Sequence, residues 1–130
     1  MPIDATQPYD DTNIFARILR GELPSNKVYE DDQVLAFNDI NPLAPVHILV
    51  IPKTHIANLY DAQPAHQAAL GKMLTVAGRL AREAGASDGF RTIINNGRVG
   101  HQEVYHVHMH VLGGPDPLGP MLARSLRGQA

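Results

Sequence analysis

Three histidines alternate with apolar residues in His106-Val107-His108-Met109-His110, which runs on into Val111 and Leu112. Alternation with period two predicts a β-strand. On a strand the three imidazoles face one way, toward a cleft or solvent, while Tyr105, Val107, Met109 and Val111 face a core. On a helix the same histidines would spread over roughly 200° and share no face. Same-face neighbours on a strand lie about 6.5–7 Å apart, so the three cannot converge on one atom but can line an anionic group and its two sides. The central His108 is the natural reacting residue.

Imidazole can attack phosphorus and carry the transferred group, which divides one hard displacement into two easier ones. Neighbouring imidazoles can donate hydrogen bonds to non-bridging oxygens and move protons near neutral pH. A metal site is the competing chemistry, because His-x-His on a strand makes a ligand pair. The chain has no cysteine, and Glu103, just before the run, is the nearest carboxylate. No Walker-type glycine loop followed by Lys and Ser/Thr is present, and no G-x-S-x-G elbow. The pattern alone stops at histidine-dependent chemistry on an anionic substrate, or a metal site.

The elements that must position these residues can be read along the chain. Residues 1–11 read as a loose arm. Thr12 or Asn13 caps a short helix with Ile14, Phe15, Ile18 and Leu19 in one stripe, stopped by Gly21 and Pro24. Val28-Tyr29 and Val34 to Phe37 read as a hairpin turning at 30–33, an acidic run with no function assigned. A loop over 39–45, fixed by Pro42 and Pro45, leads to the most apolar strand, Val46 to Ile51. Its one polar member, His47, shares a face with Leu49 and Ile51 and needs a partner or a cavity. The histidine cluster downstream favours the cavity. His55 is expected at the surface or at a helix cap. Pro64 opens a long helix, capped by Asp61 or Gln63, with Leu70, Met73, Leu74, Ala77, Leu80 and Ala84 as its apolar stripe. Gly71 and Gly78 on one side of it permit close packing, Gly85 closes it, and His66 in its first turn is expected to be exposed. Phe90 to Ile94 reads as a strand, and Asn95 to Gly100 suits an anion cradle and an ordinary connection equally well.

Helix, strands, helix, strands make an α+β domain with a mostly antiparallel sheet. At 130 residues, 44% hydrophobic and 18% charged, the chain reads as one globular domain. A net charge of −2 without a basic block argues against a nucleic-acid or membrane surface. The polar start lacks the features of a secretory signal, and no run approaches membrane-span length, so a cytoplasmic protein is expected.

The run from Tyr105 to Leu112 closely resembles the His-x-His-x-His-x-x motif that names the histidine triad (HIT) superfamily. Ile14 to Ile18, Tyr29 to Asp32, Ala36 to Ile40, Ala44 to His47, Val50 to Lys53 and Gly119 to Leu122 resemble its Hint branch of purine nucleoside phosphoramidases. Gln102-Glu103-Val104 and the Gly-Pro-Met-Leu segment resemble the bacterial form. The likeness spans residues 12–122 and so divides the chain into an arm (1–11), a HIT domain and a tail (123–130).

The resemblance implies a five-stranded, mostly antiparallel sheet with two helices, extended across a homodimer. It implies hydrolysis of purine nucleoside 5′-phosphoramidates (AMP or GMP conjugates) and aminoacyl-adenylates through a nucleotidyl-histidine intermediate, with no cofactor and no metal. By position His108 matches the nucleophile, His110 and His106 its flanking partners, and His47 the upstream histidine of the site. Asp39 matches the carboxylate that binds ribose hydroxyls. Ile14, Phe15, Ile18, Phe37, Asn38 and Ile40 match the purine pocket, and Asn95, His101 and Glu103 the phosphate side. His101 stands where glycine is usual, Glu103 where animal members carry serine, and Pro115-Asp116 where Arg is common. Dinucleoside polyphosphate hydrolysis and a non-enzymatic nucleotide-binding module are the alternatives.

Overall fold

Asn13 starts the first helix by accepting a hydrogen bond from the Ala16 amide at 2.9 Å, which satisfies one of the free N–H groups of the first turn. The helix, α1 (Ile14–Leu19), opens the computed structural model, which describes residues 6–122. Residues 1–5 of the arm and the tail at 123–130 lie outside the described residues. After α1 come β1 (Lys27–Glu30), β2 (Val34–Asn38), β3 (Val46–Pro52), α2 (Gln67–Glu83), β4 (Phe90–Ile94) and β5 (Met109–Gly113), with single 3-10 turns at Leu59–Asp61 and Pro64–His66.

The strands form one antiparallel sheet in the order β1-β2-β3-β5-β4. At the β1–β2 turn the Asp31 carboxylate accepts from the Gln33 and Val34 amides and from the Tyr29 hydroxyl. Those hydrogen bonds outweigh desolvation and hold its pKa at about 2. The acidic run therefore has a structural member.

All seven residues of β3 are buried because each face of the sheet's centre is covered. On one face Val46, Ile48, Val50, Met109 and Val111 pack against Met73, Val76, Ala77, Leu80 and Ala81 of α2. On the other, Leu49 and Ile51 join Leu35, Phe37 and Phe15 of α1. The buried stripe of α2 is rotated from the expected one: Val76 and Ala81 turn inward, while Leu74 is 59% exposed and Ala84 lies at the surface. A Cβ at Gly78 would just touch the Phe90 ring, whereas nothing approaches Gly71, so only one of the two helix glycines borders a neighbour.

The histidine strand is shorter than the alternation predicts. β5 begins at Met109, and His106 and His108 precede it. Met109 is the last residue with partners on both sides, Val50 and Ile94. In register Ile51 would face His108 next. The next residue of β3 whose backbone points to β5 is Pro52, opposite Val107, and proline has no N–H to offer the ladder. The Val107 amide donates instead to the Ile56 carbonyl at 2.7 Å, in the segment after β3. Tyr105, Val107, Met109 and Val111 are nonetheless all buried, as the alternation requires.

Candidate active site

Register brings His47 opposite Leu112 and Leu49 opposite His110, so both histidines rise from the face that carries Phe15 and Phe37. The Leu43 amide donates to His47 Nδ1 at 3.0 Å, so neutral His47 carries its proton on Nε2. That nitrogen lies 2.8 Å from His110 Nδ1 and 3.4 Å from Asp39 Oδ2. His110 Nδ1 is then the acceptor, and neutral His110 carries its own proton on Nε2. Asp39 is held in turn by the Asn41 amide, 2.8 Å from Oδ1.

A second chain of hydrogen bonds fixes the other two imidazoles. His108 Nδ1 lies 2.8 Å from the His106 carbonyl, which can only accept, so the Nε2 lone pair of His108 is open. His106 Nε2 donates to the Pro52 carbonyl at 2.8 Å. Its Nδ1 is therefore an acceptor, 2.7 Å from the Tyr9 hydroxyl. His106 is fully buried with both ring nitrogens engaged and does not line a cleft as the alternation led one to expect. It lies three residues before the strand begins, and the Pro52 carbonyl and the Tyr9 hydroxyl hold its ring inside.

The rings of His108 and His110 are 5.1 Å apart between centroids, and Phe15 meets His108 edge-on at 4.9 Å. Among the described residues Asn58 Nδ2 is the only buried side-chain nitrogen or oxygen without a partner. The open Nε2 atoms of His108 and His110 therefore reach solvent. One presents a lone pair and its neighbour an N–H, the pairing needed to attack an electrophilic centre and donate to its oxygens.

Burial sets the protonation of the cluster. It pushes His108 and His47 below the ordinary imidazole value, and holds His106 and His110 at about 4. Charges on His108 and His47 lower His110 further, while Asp39 and Glu103 act in the opposite direction on both His108 and His110. All four imidazoles are neutral at pH 7.

Beside the cluster, the loop after β4 turns through Gly97 at φ +71 and passes so tightly at Gly100 that a Cβ there would stand 2.4 Å from the Asn96 carbonyl oxygen. Buried Gln102 pins this loop: it accepts from the Gly97 amide at 2.9 Å and donates to the Ala57 and Val104 carbonyls at 2.6 and 3.0 Å. Sequence similarity agrees with this geometry, since residues 20–116 match the HIT domain family. The chain belongs to the HIT domain family.

Relatives carry the match further. The purine nucleoside phosphoramidase of Escherichia coli (strain K12) is 56% identical over 111 residues, 85% of this chain and 92% of that protein. A 14 kDa zinc-binding protein of Zea mays is 50% identical over 107 residues, 81% of this chain and 84% of that one. The solved HIT family hydrolase of Clostridium thermocellum superposes with a TM-score of 0.81 at 40% identity, covering 87% of this chain and 99% of its own. On these likenesses the chain is an enzyme, a hydrolase of the HIT family.

The HIT fold brings His47, His106, His108, His110, Asp39 and Phe15 into one contact network. Phe37 adjoins it through an edge-on contact with Phe15 at 5.7 Å, and Ile18 packs on the same cluster. Asn38 is half-buried, whereas Ile14 and Ile40 are 48% and 88% exposed, apolar groups left at the surface. Asn95 is half-buried and makes no hydrogen bond among the described residues, its neighbour Asn96 being the one that accepts from the Leu59 amide at 2.7 Å. His101 adopts φ +61, the left-handed region that suits the usual glycine, and its ring pairs with exposed Glu103 at 3.0 Å.

Two members of the site were given no role from the sequence: Tyr9, and Gln102, which was named only within the segment resembling the bacterial form. Gln102 stands in a polar loop where an amide is unremarkable. Tyr9 belongs to the arm read as loose, yet residues 7–10 are tied to the body of the domain. The one available signal for Tyr9 was a large aromatic in an otherwise polar segment.

Proposed function

We propose that the chain hydrolyses purine nucleoside 5′-phosphoramidates, and the corresponding aminoacyl-adenylates, to the nucleoside 5′-monophosphate. The observation that carries this reading is the commitment of His108 Nδ1 to a carbonyl, which leaves a neutral imidazole with its Nε2 lone pair open beside an N–H of His110. Nε2 of His108 attacks phosphorus and the P–N bond breaks, the amine leaving with the bonding pair and a proton taken up on its nitrogen from solvent, while the Nε2–H of His110 donates to a phosphoryl oxygen. Water then attacks the phosphorus of nucleotidyl-His108 and gives its surplus proton to solvent. The P–Nε2 bond breaks, the monophosphate departs and His108 is restored. His47, with Asp39 behind it, keeps the Nδ1 side of His110 matched to each state.

Asp39 is suited to ribose hydroxyls, since a carboxylate has lone pairs beyond those used by Asn41 and His47. In this reading Ile14, Phe15, Ile18, Phe37 and Ile40 supply apolar surface for a purine and Asn38 a polar edge beside it, with Asn95, His101 and Glu103 assigned to the phosphate side. A homodimer fits the edge position of β4, where Phe90 is 42% exposed beside Gly78 and one turn from exposed Leu74. No helix among the described residues is long and apolar enough to cross a membrane. A cytoplasmic location is part of the same reading.

The test is hydrolysis of adenosine 5′-phosphoramidate to AMP, with EDTA present, by wild type and His108→Asn. Loss of the nucleophile is expected to raise the barrier by well over about 4 kcal/mol while AMP still binds. Equal rates in the two proteins would remove His108 from the role.

A further inference from the structure

The arm packs against His106, the member of the histidine cluster with both ring nitrogens engaged. The Tyr9 hydroxyl lies 2.7 Å from His106 Nδ1, and the Tyr9 ring stacks on His55 at 4.8 Å and 18°. The segment is held from both ends. The Tyr105 hydroxyl donates to the Gln7 carbonyl, and Asn13, the cap of α1, donates to the Asp10 carbonyl at 2.8 Å. His106 has no freedom in its own hydrogen bonding: Nε2 faces the Pro52 carbonyl, so Nδ1 requires a donor, and Tyr9 supplies it.

We propose that Tyr9 is a positioning residue for catalysis: its hydroxyl locks the ring of His106, so that the His106 carbonyl stands where it takes the Nδ1 proton of His108 and leaves His108 Nε2 open. The inference rests on the reading of His108 as the nucleophile. Without the hydroxyl, His106 keeps a buried acceptor with no other hydrogen-bond partner among the described residues. The ring must rotate, take a water or take a proton, and each of these disturbs the residue whose carbonyl orients His108. The arm thereby becomes part of the site although it touches no reacting atom.

Tyr9→Phe removes the hydroxyl and keeps the ring on His55, while His55→Ala removes the stack and keeps the hydroxyl. Both are compared with wild type by long-range 1H–15N spectra of the imidazoles, which report the nitrogen that carries each proton, and by turnover of adenosine 5′-phosphoramidate. In Tyr9→Phe the ring signals of His106 and His108 are expected to move, and kcat to fall about tenfold with a smaller change in KM, the signature of a misplaced reacting group. His55→Ala, which also removes an edge contact with the His106 ring at 6.2 Å, is expected to leave the protonated nitrogen of both rings and kcat as in wild type. Unchanged His108 signals in Tyr9→Phe would overturn the proposal, as would an equal loss of kcat in His55→Ala with the His106 ring unmoved. Should wild type not turn over the phosphoramidate, the spectra still decide the positioning role, and the failure falls on the substrate assignment alone.

Discussion

His47 Nε2 lies 2.8 Å from His110 Nδ1, and this hydrogen bond decides which nitrogen of His110 is left to meet a substrate. The decision originates in a backbone amide, because Leu43 N–H occupies the other nitrogen of His47. His47→Ala removes the relay and leaves His110 free to place its proton on either nitrogen. Its kcat is expected to fall roughly 10- to 100-fold, with KM changing less, because the lost contact orients a reacting group rather than binding the nucleotide. Steady-state kinetics on adenosine 5′-phosphoramidate measure both constants, and a KM-only effect would place His47 in nucleotide binding instead.

Acid should destabilise the fold before it reaches the carboxylates. Burial holds His106 and His110 at about 4, against 6.5 for free imidazole. Between those values the unfolded chain binds protons that the folded chain refuses, so stability is full above 6.5 and falls as pH drops toward 4. For fully buried His106 the loss by pH 4 is roughly 3 kcal/mol. Urea unfolding at intervals from pH 7 to pH 4.5 is expected to show a steady decline, and a flat profile would contradict the burial of these rings. Asp31, held at about 2 by its hydrogen bonds, adds a loss only at lower pH.

Local pattern carried most of the fold. Asn13 at the helix start, the hairpin after Tyr29, Pro45 before the most apolar strand and Phe90 to Ile94 each encode an element through neighbours in sequence, and each forms where expected. The alternation around His108 was legible as burial but not as a strand, because the ladder to β3 stops at Val50, short of Pro52, a residue far away in the chain. The same distance hid Tyr9, whose partner is 97 positions on. Tautomers were equally out of reach, since they follow from the Leu43 amide and the Pro52 and His106 carbonyls. A histidine motif names the chemistry, and backbone groups brought near by folding choose which nitrogen performs it.

Zinc is expected to inhibit. Asp39, His47 and His110 each offer a ligand atom, and these lie within 4.8 Å of one another. A zinc ion bound there would displace the proton shared by His47 and His110 and cancel the orientation of His110. Binding should be modest, because His47 would have to give up its Nε2 proton while Leu43 still donates to Nδ1. The expected result is inhibition that strengthens as pH rises, is reversed by EDTA and weakens in Asp39→Asn. Activity that instead requires added zinc would make the ion a cofactor and overturn the proton relay proposed for His47.

The edge of the sheet makes a prediction about assembly. Among the described strands β4 ends the order with no partner on its outer side, and Leu74 of α2 stands one turn from Gly78, which borders the Phe90 ring. Leu74 and Phe90, at 59% and 42% exposure, put apolar surface beside this unpaired edge, as a contact with a second copy would use. Leu74→Glu leaves the monomer core intact, since its side chain lies outside the buried stripe of α2, but puts charge into any contact made across that edge. Wild type is therefore expected to elute as a dimer in size exclusion with light scattering. The variant should shift toward monomer with its far-ultraviolet circular dichroism unchanged. A variant that remains fully dimeric would move the interface to the opposite edge of the sheet, at β1.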